Sequence, residues 1–486
     1  MAAKAACDNV VANCDAENGS RRPMVLCFLL VFAGFTLTST TYLAWLYNLM
    51  NFPEAGSVEA ITMVGGYGFQ ALGLGIVAVL GSRWSEVFSR VPFVSVVALH
   101  FMCAAPAMMS GSLEGTLAFG FLMNLMCGAI AANYLYRLAA DVRKGRRGTV
   151  FGCAYACSTL ASWLLSLIPD LHSTGNSTIL VPCILFSALA AGVAIVPSRS
   201  AGRAQTESES SQGAVSKGWG FLAVRSARSD GFRVELRSLV TFACLAVLLM
   251  SLVNNIGFVY PTAEIASGVS LELSRLFYAV ALVTAGVVID RSFKYGTFCC
   301  VIALIMPFAL MALADEPIPA TIVWGLNYLS AGFFSVFRVV LFADIASETR
   351  LLHLSCLGLM VGRIGDALGT AVFLTLGGNA IALVSVATVL FAASVFVVYR
   401  LSQLILSEEA TLPQKSEQEL LREFAARYEL SARECDVLEL LLDGRSNSEV
   451  AAELFVSEST VKFHVHNLLK KTGCKNRNEL RSAVLT

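Results

Sequence analysis

The chain has 486 residues, of which 56% are hydrophobic and only 14% are charged, and its mean hydropathy is +0.68. Soluble domains carry roughly 25% charged residues, so the composition argues against a soluble enzyme, a disordered chain or a fibrous repeat. The 35 basic and 35 acidic residues cancel, and the 14 cysteines show no zinc-site spacing. We therefore expect an all-α protein that crosses a membrane many times and holds no metal or cofactor.

The chain begins with a polar segment at 1–23, which we predict to be a cytoplasmic tail. The apolar run after it lacks a cleavage site, so we interpret it as a retained span and not as a signal peptide. A bilayer core about 30 Å thick needs about 20 apolar residues per helix. Twelve such runs occur, at 24–50, 58–80, 91–110, 116–137, 149–168, 178–196, 239–260, 273–289, 296–314, 318–342, 354–376 and 379–400.

Basic residues fall on one side of this predicted array. The loops near 51–57, 111–115, 169–177, 261–272, 315–317 and 377–378 contain no Lys or Arg. The alternate loops contain Arg83 and Arg90, five basic residues between 137 and 147, seven between 197 and 238, Arg291 and Lys294, and Arg350. By the positive-inside rule, we expect a multi-pass protein of the cell membrane with both termini in the cytoplasm.

The spans form two sets of six, at 24–198 and 238–400, joined by a Ser- and Gly-rich cytoplasmic linker at 199–237. After the eighth span, GVVIDRSFKYG at 286–296 resembles a short loop of the major facilitator family. The matching loop of the first half, GSRWSEVFSR at 81–90, lacks the Asp-Arg pair. The resemblance implies a bundle of twelve helices. The missing Asp-Arg pair in the first half weakens the expectation of an active transport cycle.

Candidate functional residues within the predicted spans are the ionisable side chains of Glu59, Arg275, Arg338, Arg363 and Asp366. Such groups are expensive in a bilayer and are functional candidates by default. Arg363 and Asp366 are three residues apart, so they share a helix face and can pair. Two interpretations remain open, a ligand-sensing site that includes Arg338 and Glu59, or a structural ion pair that locks the bundle.

Residues 401–429 have a polar composition typical of a linker, with an amphipathic helix predicted at 416–428. Ser416 and Glu419 would form its capping box. Its sequence fits equally well a stalk that packs on its neighbours and a coupling or dimerising helix.

Residues 430–486 predict a four-helix domain. Ser431 with Glu434, and Ser446 with Glu449, form capping boxes for helices that end near Leu442 and Leu454. A third helix extends from the cap at Ser457 to Thr472, where Gly473 stops it, and a fourth is predicted at 477–484. The tight turn at 455–457 between the second and third helices is typical of a helix-turn-helix.

The third helix has two distinct faces. At 100° per residue, Val461, Val465, Leu468 and Leu469 share a core face, and polar or basic residues occupy the adjoining one. Six basic residues and one acidic residue occur in 459–486, against two basic and seven acidic residues in 430–458. Such a basic patch favours contact with a phosphate backbone.

The sequence LSARECDVLELLLDGRSNSEVAAELFVSESTVKFHVHNLLKKTGCKNRNEL resembles the LuxR-type helix-turn-helix over nearly its full length. The resemblance implies that Lys462, Phe463 and His466 face base edges of double-stranded DNA. It also implies that Ser457, Thr460 and Lys470 contact phosphates, although for Lys470 and Lys471 a solvated helix end is the alternative. Members often dimerise through the fourth helix, here with Leu480 and Val484, for which core packing is an equal alternative.

Together these features predict a membrane-embedded transcriptional regulator. A small molecule would bind the bundle, the helix-turn-helix would bind operator DNA, and an activator would also contact RNA polymerase. The sequence contains no P-loop, receiver domain or nucleophile–base motif, so we do not expect an enzyme. A secondary transporter with a regulatory tail, and a passive anchor, remain the alternatives.

Overall fold

The computed structural model describes residues 2–168, 171, 177–196, 230–264, 271–306, 308, 320–409, 421–422, 424–425, 427–428, 430–474, 476–477 and 479–480. These residues form helices joined by turns and loops, and no strand occurs among them. They divide into two compact units, Met1–Leu406 and Ser407–Thr486, and each has its own hydrophobic core.

The first half of the membrane bundle contains six helices. These are α1 (Ala2–Leu49), α2 (Tyr67–Arg83), α3 (Arg90–Met109), α4 (Leu113–Asp141), α5 (Arg147–Ser166) and α6 (Leu180–Ile195). A π-helical segment, Ala60–Gly66, leads directly into α2. Because α1 already begins at Ala2, the segment predicted as an N-terminal tail is helical over most of its length.

In the second half, the described residues also form six α-helices. These are α7 (Asp230–Glu264), α8 (Leu271–Arg291), α9 (Phe293–Ala303), α10 (Ala320–Thr349), α11 (Leu357–Leu376) and α12 (Ala380–Glu409). Each predicted span falls on one of the twelve helices, and the span predicted at 296–314 extends into residues outside the described part. Ten helices of the described residues are long and apolar enough to cross a membrane, while α9 is a shorter apolar helix. The last helix continues to Glu409, into the segment predicted as a linker.

The two halves pack through matching positions. The second helix of each half contacts the fifth helix of the other, so α2 packs on α11 and α5 packs on α8. Glycines allow the close approach of α5 and α8, since a Cβ on Gly286 would lie 2.3 Å from the Gly148 carbonyl oxygen. The halves therefore meet backbone to backbone at this crossing.

The C-terminal unit contains α13 (Ala432–Leu442), α14 (Asn447–Glu453) and α15 (Glu458–Thr472). Both predicted capping boxes form, Ser431 with Glu434 and Ser446 with Glu449, and α14 ends one residue earlier than expected. Phe455 adopts a positive φ of 54° in the turn between α14 and α15. The predicted fourth helix lies largely outside the described residues.

Candidate DNA interface and buried charge cluster

The start of α15 presents exposed hydroxyl groups. The Ser457 Oγ accepts a hydrogen bond of 3.2 Å from the backbone N–H of Thr460 and lies 2.7 Å from the hydroxyl oxygens of Ser459 and Thr460. The helix ends at Gly473, whose φ of 73° is left-handed. A helix N-terminus that carries solvent-accessible hydroxyls favours an anion such as a DNA phosphate.

One face of α15 is buried and the adjoining face is open to solvent. Val461 and Leu468 are 0% exposed and belong to the core of the C-terminal unit. Lys462, His466 and Lys470 are exposed, and Phe463 is 61% exposed although its ring is apolar. The predicted two-faced arrangement of this helix is present, because the core anchors α15 on one side only.

Lys462 already has an acidic partner. Its Nζ lies 2.9 Å from Glu458 Oε1, one turn earlier on the same helix, and both side chains are about half exposed. An exposed ion pair of this kind is weak, so the ammonium can exchange Glu458 for a guanine acceptor or a phosphate. Phe463 offers apolar contact for a thymine methyl group, and His466 offers a ring nitrogen.

Lys471 does not only face solvent at the helix end, because its side chain also forms an ion pair with the buried residue Glu434. Its Nζ donates a 2.7 Å hydrogen bond to Oε2 of Glu434, which also accepts from the Ser431 backbone N–H and hydroxyl at 2.8 and 2.9 Å. Burial alone would raise the pKa of the Glu434 carboxyl, but the hydrogen bonds from Lys471 and Ser431 outweigh it and lower that pKa. Lys471 therefore joins the end of α15 to the start of α13, a role missed in the sequence.

The segment before α13 packs on the same core. Phe424 is 6% exposed, and Leu421 and Tyr428 pack beside it against the helix-turn-helix residues. These contacts favour the stalk interpretation of the amphipathic segment; Ser416 and Glu419 lie outside the described residues. Leu480 is 1% exposed within this core, so it is not available to a second subunit, while Val484 also lies outside the described residues.

A charge cluster joins α10 and α11 inside the bundle. Arg338 Nη1 donates to Asp366 Oδ2 at 3.2 Å, and Arg363 Nη1 lies 3.5 Å from the same oxygen. The Arg363–Asp366 pair has the three-residue spacing read from the sequence. We call Arg338, Arg363 and Asp366 the charge cluster.

Glycines on α11 make room for Arg338. A Cβ on Gly362 would lie 2.5 Å from Arg338 Nη1, and a Cβ on Gly358 would lie 2.0 Å from the Arg338 carbonyl oxygen. Arg363 reaches across to the first half, with its guanidinium carbon 4.2 Å from the centroid of the Tyr67 ring. The cluster therefore connects three helices from both halves.

Further tyrosines lie close to the charge cluster. Tyr42 stacks on Tyr67 with a centroid distance of 6.1 Å, and Tyr155 and Tyr278 place their hydroxyl oxygens 3.1 Å apart. The Tyr278 hydroxyl also lies 2.7 Å from that of Ser335 on α10. Side chains from α1, α2, α5, α8 and α10 thus form an aromatic, hydroxyl-bearing environment.

Glu59 does not join this cluster. It is exposed and accepts a 3.1 Å hydrogen bond from Ser57, before the π-helical segment. The Arg275 side chain lies outside the described residues. A separate groove between α2 and α11, lined by Gly68, Met360 and Ile364 among others, is apolar throughout.

Comparison with known proteins identifies the C-terminal unit. The model of the family "Bacterial regulatory proteins, luxR family" matches residues 428–484. The spore germination protein GerE of Bacillus subtilis (strain 168) is 41% identical over 58 residues, which cover 12% of this chain and 78% of that protein. The chain belongs to the luxR family of bacterial regulatory proteins.

Other luxR-family relatives match over the same short region. The transcriptional regulatory protein YhcZ of Bacillus subtilis (strain 168) is 52% identical over 52 residues, covering 11% of this chain and 24% of that protein. The CsgBAC operon transcriptional regulatory protein of Escherichia coli (strain K12) is 50% identical over 50 residues, covering 10% and 23%. The chain thus spans about a quarter of the length of these two relatives.

The bundle of this luxR-family chain has the fold of major facilitator transporters. The human organic anion transporter TETRAN matches with a TM-score of 0.55 and 16% identity over 78% of this chain and 99% of that structure. The fucose:proton symporter FucP of Escherichia coli matches with a TM-score of 0.51 and 15% identity over 78% and 98%. The protein therefore combines a LuxR-type DNA-binding regulator domain with a major-facilitator-like membrane domain.

The luxR-family chain has a second set of partly buried contacts that involve charged side chains, at the basic end of the bundle. Arg147 donates from Nη1 to Asp344 Oδ1 at 2.6 Å, and Asp290 accepts from the Gly148 and Thr149 backbone N–H groups at 2.8 and 2.7 Å. In the sequence, Arg147 indicated only the orientation of the spans. The sequence did show acidic residues at the ends of α8 and α10 that could have indicated these contacts. Their partners lie more than a hundred positions away, so the pairing could not be predicted.

Proposed function

We propose that this luxR-family protein is a transcriptional regulator of the cell membrane whose bundle senses a small molecule. Its helix-turn-helix binds operator DNA, with Lys462, Phe463 and His466 at base edges. Ser457, Thr460 and Lys470 contact phosphates. The exposed polar face of α15 beside its buried core face supports this assignment.

The same proposal includes the orientation. Arg83, Arg147, Arg291 and Arg350 lie at or beside helix ends that the alternation of the spans assigns to one side of the membrane. That side is the cytoplasm, where the DNA-binding unit after α12 also has to be. A C-terminal fluorescent reporter that is active inside the cell is the expected result.

One observation carries the sensing role. The charge cluster is buried between α10 and α11 and contacts Tyr67 of the other half, so a ligand bound there would touch both halves at once. A ligand shifts a conformational equilibrium only through its different affinity for two states. A site shared by the two halves provides such a difference whenever the halves move relative to each other.

The test compares the intact chain with a chimera in which one unrelated span replaces residues 1–400. Transcription of a reporter gene under a luxR-type operator is measured against a panel of metabolites. We expect the intact chain to respond to at least one compound and the chimera to respond to none. Identical regulation by both proteins would identify the bundle as a passive anchor.

A secondary transporter with a regulatory tail is the second candidate, favoured by the major facilitator fold of the bundle. Uptake or efflux in vesicles that depends on Arg363 or Asp366 would support it.

An activator would also contact RNA polymerase, and two copies would suit a two-fold symmetric operator. Because Leu480 is buried, such a dimer would have to use other surfaces.

A further inference from the structure

The charge cluster is not electrically balanced. Within the described residues, it sets the two guanidinium groups of Arg338 and Arg363 against the single carboxylate of Asp366. Arginine remains protonated in proteins, so one positive charge is left over inside the bundle. A structural ion pair needs only one arginine, and a second buried guanidinium without its own anion is destabilising.

The cluster also has unused hydrogen-bond donors. The Nε atoms of Arg338 and Arg363 have no hydrogen-bond partner among the described residues, and the Arg338 side chain is only 8% exposed. Asn327, which is 1% exposed, has no partner on either amide atom among those residues. It lies on the same face of α10 as Arg338 but three turns away, about 16 Å along the helix axis, so it belongs to a separate position. Buried polar groups normally find partners, so the Nε donors of the charge cluster are incomplete without a polar ligand.

Aromatic side chains surround the excess positive charge of the charge cluster. Arg363 lies over the Tyr67 ring, which itself stacks on Tyr42. Phe35 packs against Tyr155 with a centroid distance of 3.7 Å. The π-helical segment immediately before Tyr67 is a rare feature that often marks functional sites.

From these observations we propose that the charge cluster binds a small organic monoanion carrying an aromatic ring. Its carboxylate pairs with Arg338 and Arg363, and its ring packs among the tyrosines. The planar forks of two guanidinium groups fit a carboxylate, and a single negative charge neutralises the excess, whereas a dianionic phosphate would exceed it. This inference rests on the proposed sensing function and names the class of ligand.

Binding is measured by calorimetry on the full chain in lipid nanodiscs, with phenylacetate as the probe. Phenylethanol, which has the ring but no negative charge, tests whether the carboxylate is required. Cyclohexylacetate, which has the carboxylate but no aromatic ring, tests whether aromaticity is required. We expect phenylacetate to bind, phenylethanol to bind about 10- to 100-fold more weakly because it lacks the charge-assisted hydrogen bonds, and cyclohexylacetate to bind more weakly than phenylacetate. No binding of phenylacetate, or equal binding of phenylethanol, overturns the proposal.

Two variants separate ligand binding from a purely structural role. Arg363→Gln should weaken phenylacetate binding about 10- to 100-fold. Asp366→Asn removes the competing carboxylate and should leave binding intact or tighten it. Arg143→Gln, an exposed basic residue outside the cluster, is the matched control and should bind normally. The melting temperature of each variant is recorded, and loss of binding in a folded Asp366→Asn protein contradicts the proposal.

The reporter assay distinguishes this inference from the function on which it rests. A response confined to neutral or cationic compounds that requires residues 1–400 overturns the anionic ligand and leaves the sensing function standing. Regulation that survives replacement of residues 1–400 removes the sensing function itself. A response to phenylacetate that Arg363→Gln abolishes supports both.

Discussion

At the scale of single residues, the proposed DNA-facing surface depends on side chains that already have partners within the protein. Lys462 pairs with Glu458, while the Ser457 and Thr460 hydroxyls bond to each other. Phe463 is 61% exposed, and its ring centroid lies 5.7 Å from that of His464. These features suit a surface that exchanges weak internal contacts for base and phosphate contacts.

Replacing Lys462 or His466 by Ala should each weaken operator binding by about 1–3 kcal/mol and relax base preference at one position. Replacing Glu458 by Gln should tighten binding at low salt, because it frees Lys462 and removes a negative charge next to the phosphates. Mobility-shift titrations at fixed salt measure all three variants.

Arg433→Ala provides the matched control for the basic substitutions. Arg433 is exposed on α13, where it pairs with Asp436 at 3.5 Å. Its removal should change operator affinity by less than about 0.5 kcal/mol. Unchanged binding by both Lys462→Ala and His466→Ala would exclude these residues from base recognition.

Glu434 should make the C-terminal unit sensitive to acid. Its lowered pKa means that its contribution to stability is present above the ordinary carboxyl pKa of 4.5 and is lost as the pH falls through the lower, folded-state value. Glu434→Gln should cost about 1.5–3 kcal/mol at neutral pH, the value of a charge-assisted hydrogen bond, and much less in acid.

Urea unfolding of residues 407–486 at neutral and acidic pH measures this difference, since that unit has its own core. Glu439→Gln, on the exposed face of the same helix, is the control and should behave like the unsubstituted protein at both pH values. An equal loss of stability for Glu434→Gln at both pH values would mean that its charge is not responsible.

At the scale of helices, the crossing of α5 and α8 fixes one end of the bundle. Arg147 is 3% exposed and donates to the carbonyl oxygens of Ala139 and Val142 as well as to Asp344. Lys144 adds a 2.6 Å ion pair with Glu348. The first half is therefore attached to α10 by two ion pairs and to α8 by the Asp290 hydrogen bonds.

Arg147→Ala should destabilise the bundle by about 3–5 kcal/mol, because it leaves the Asp344 carboxylate buried without its partner. The double variant with Asp344→Ala should recover part of the loss. Thermal unfolding of the full chain in detergent, compared with the exposed neighbour Arg146→Ala, measures the effect. Equal melting temperatures for Arg147→Ala and Arg146→Ala would contradict this account.

At the scale of the whole molecule, the sequence predicted what depends on local spacing. Ten of the twelve predicted spans fall on described helices that are long and apolar enough to cross a membrane. These spans, two capping boxes, the third-helix faces and the Arg363–Asp366 pair all follow from neighbours a few residues apart. Other contacts join segments that are distant in the sequence. These are Arg338 with Asp366, Lys471 with Glu434, and Asp290 with the start of α5. The hydrophobic periodicity of the sequence cannot predict such contacts, because they form only when the helices pack together.

The bundle is built from two similar halves, yet its two equivalent crossings are unequal. At the start of α5, Asp290 bridges the halves through paired amide groups. At the corresponding start of α11, the helix continues from a short 3-10 turn, Leu352–Cys356, and no side chain caps it. The loop at 81–90, which lacks the Asp-Arg pair, belongs to this second crossing. The α5–α8 crossing therefore has a pair of carboxylate–amide hydrogen bonds that the start of α11 lacks, and we expect any movement of the halves at that end to require breaking them.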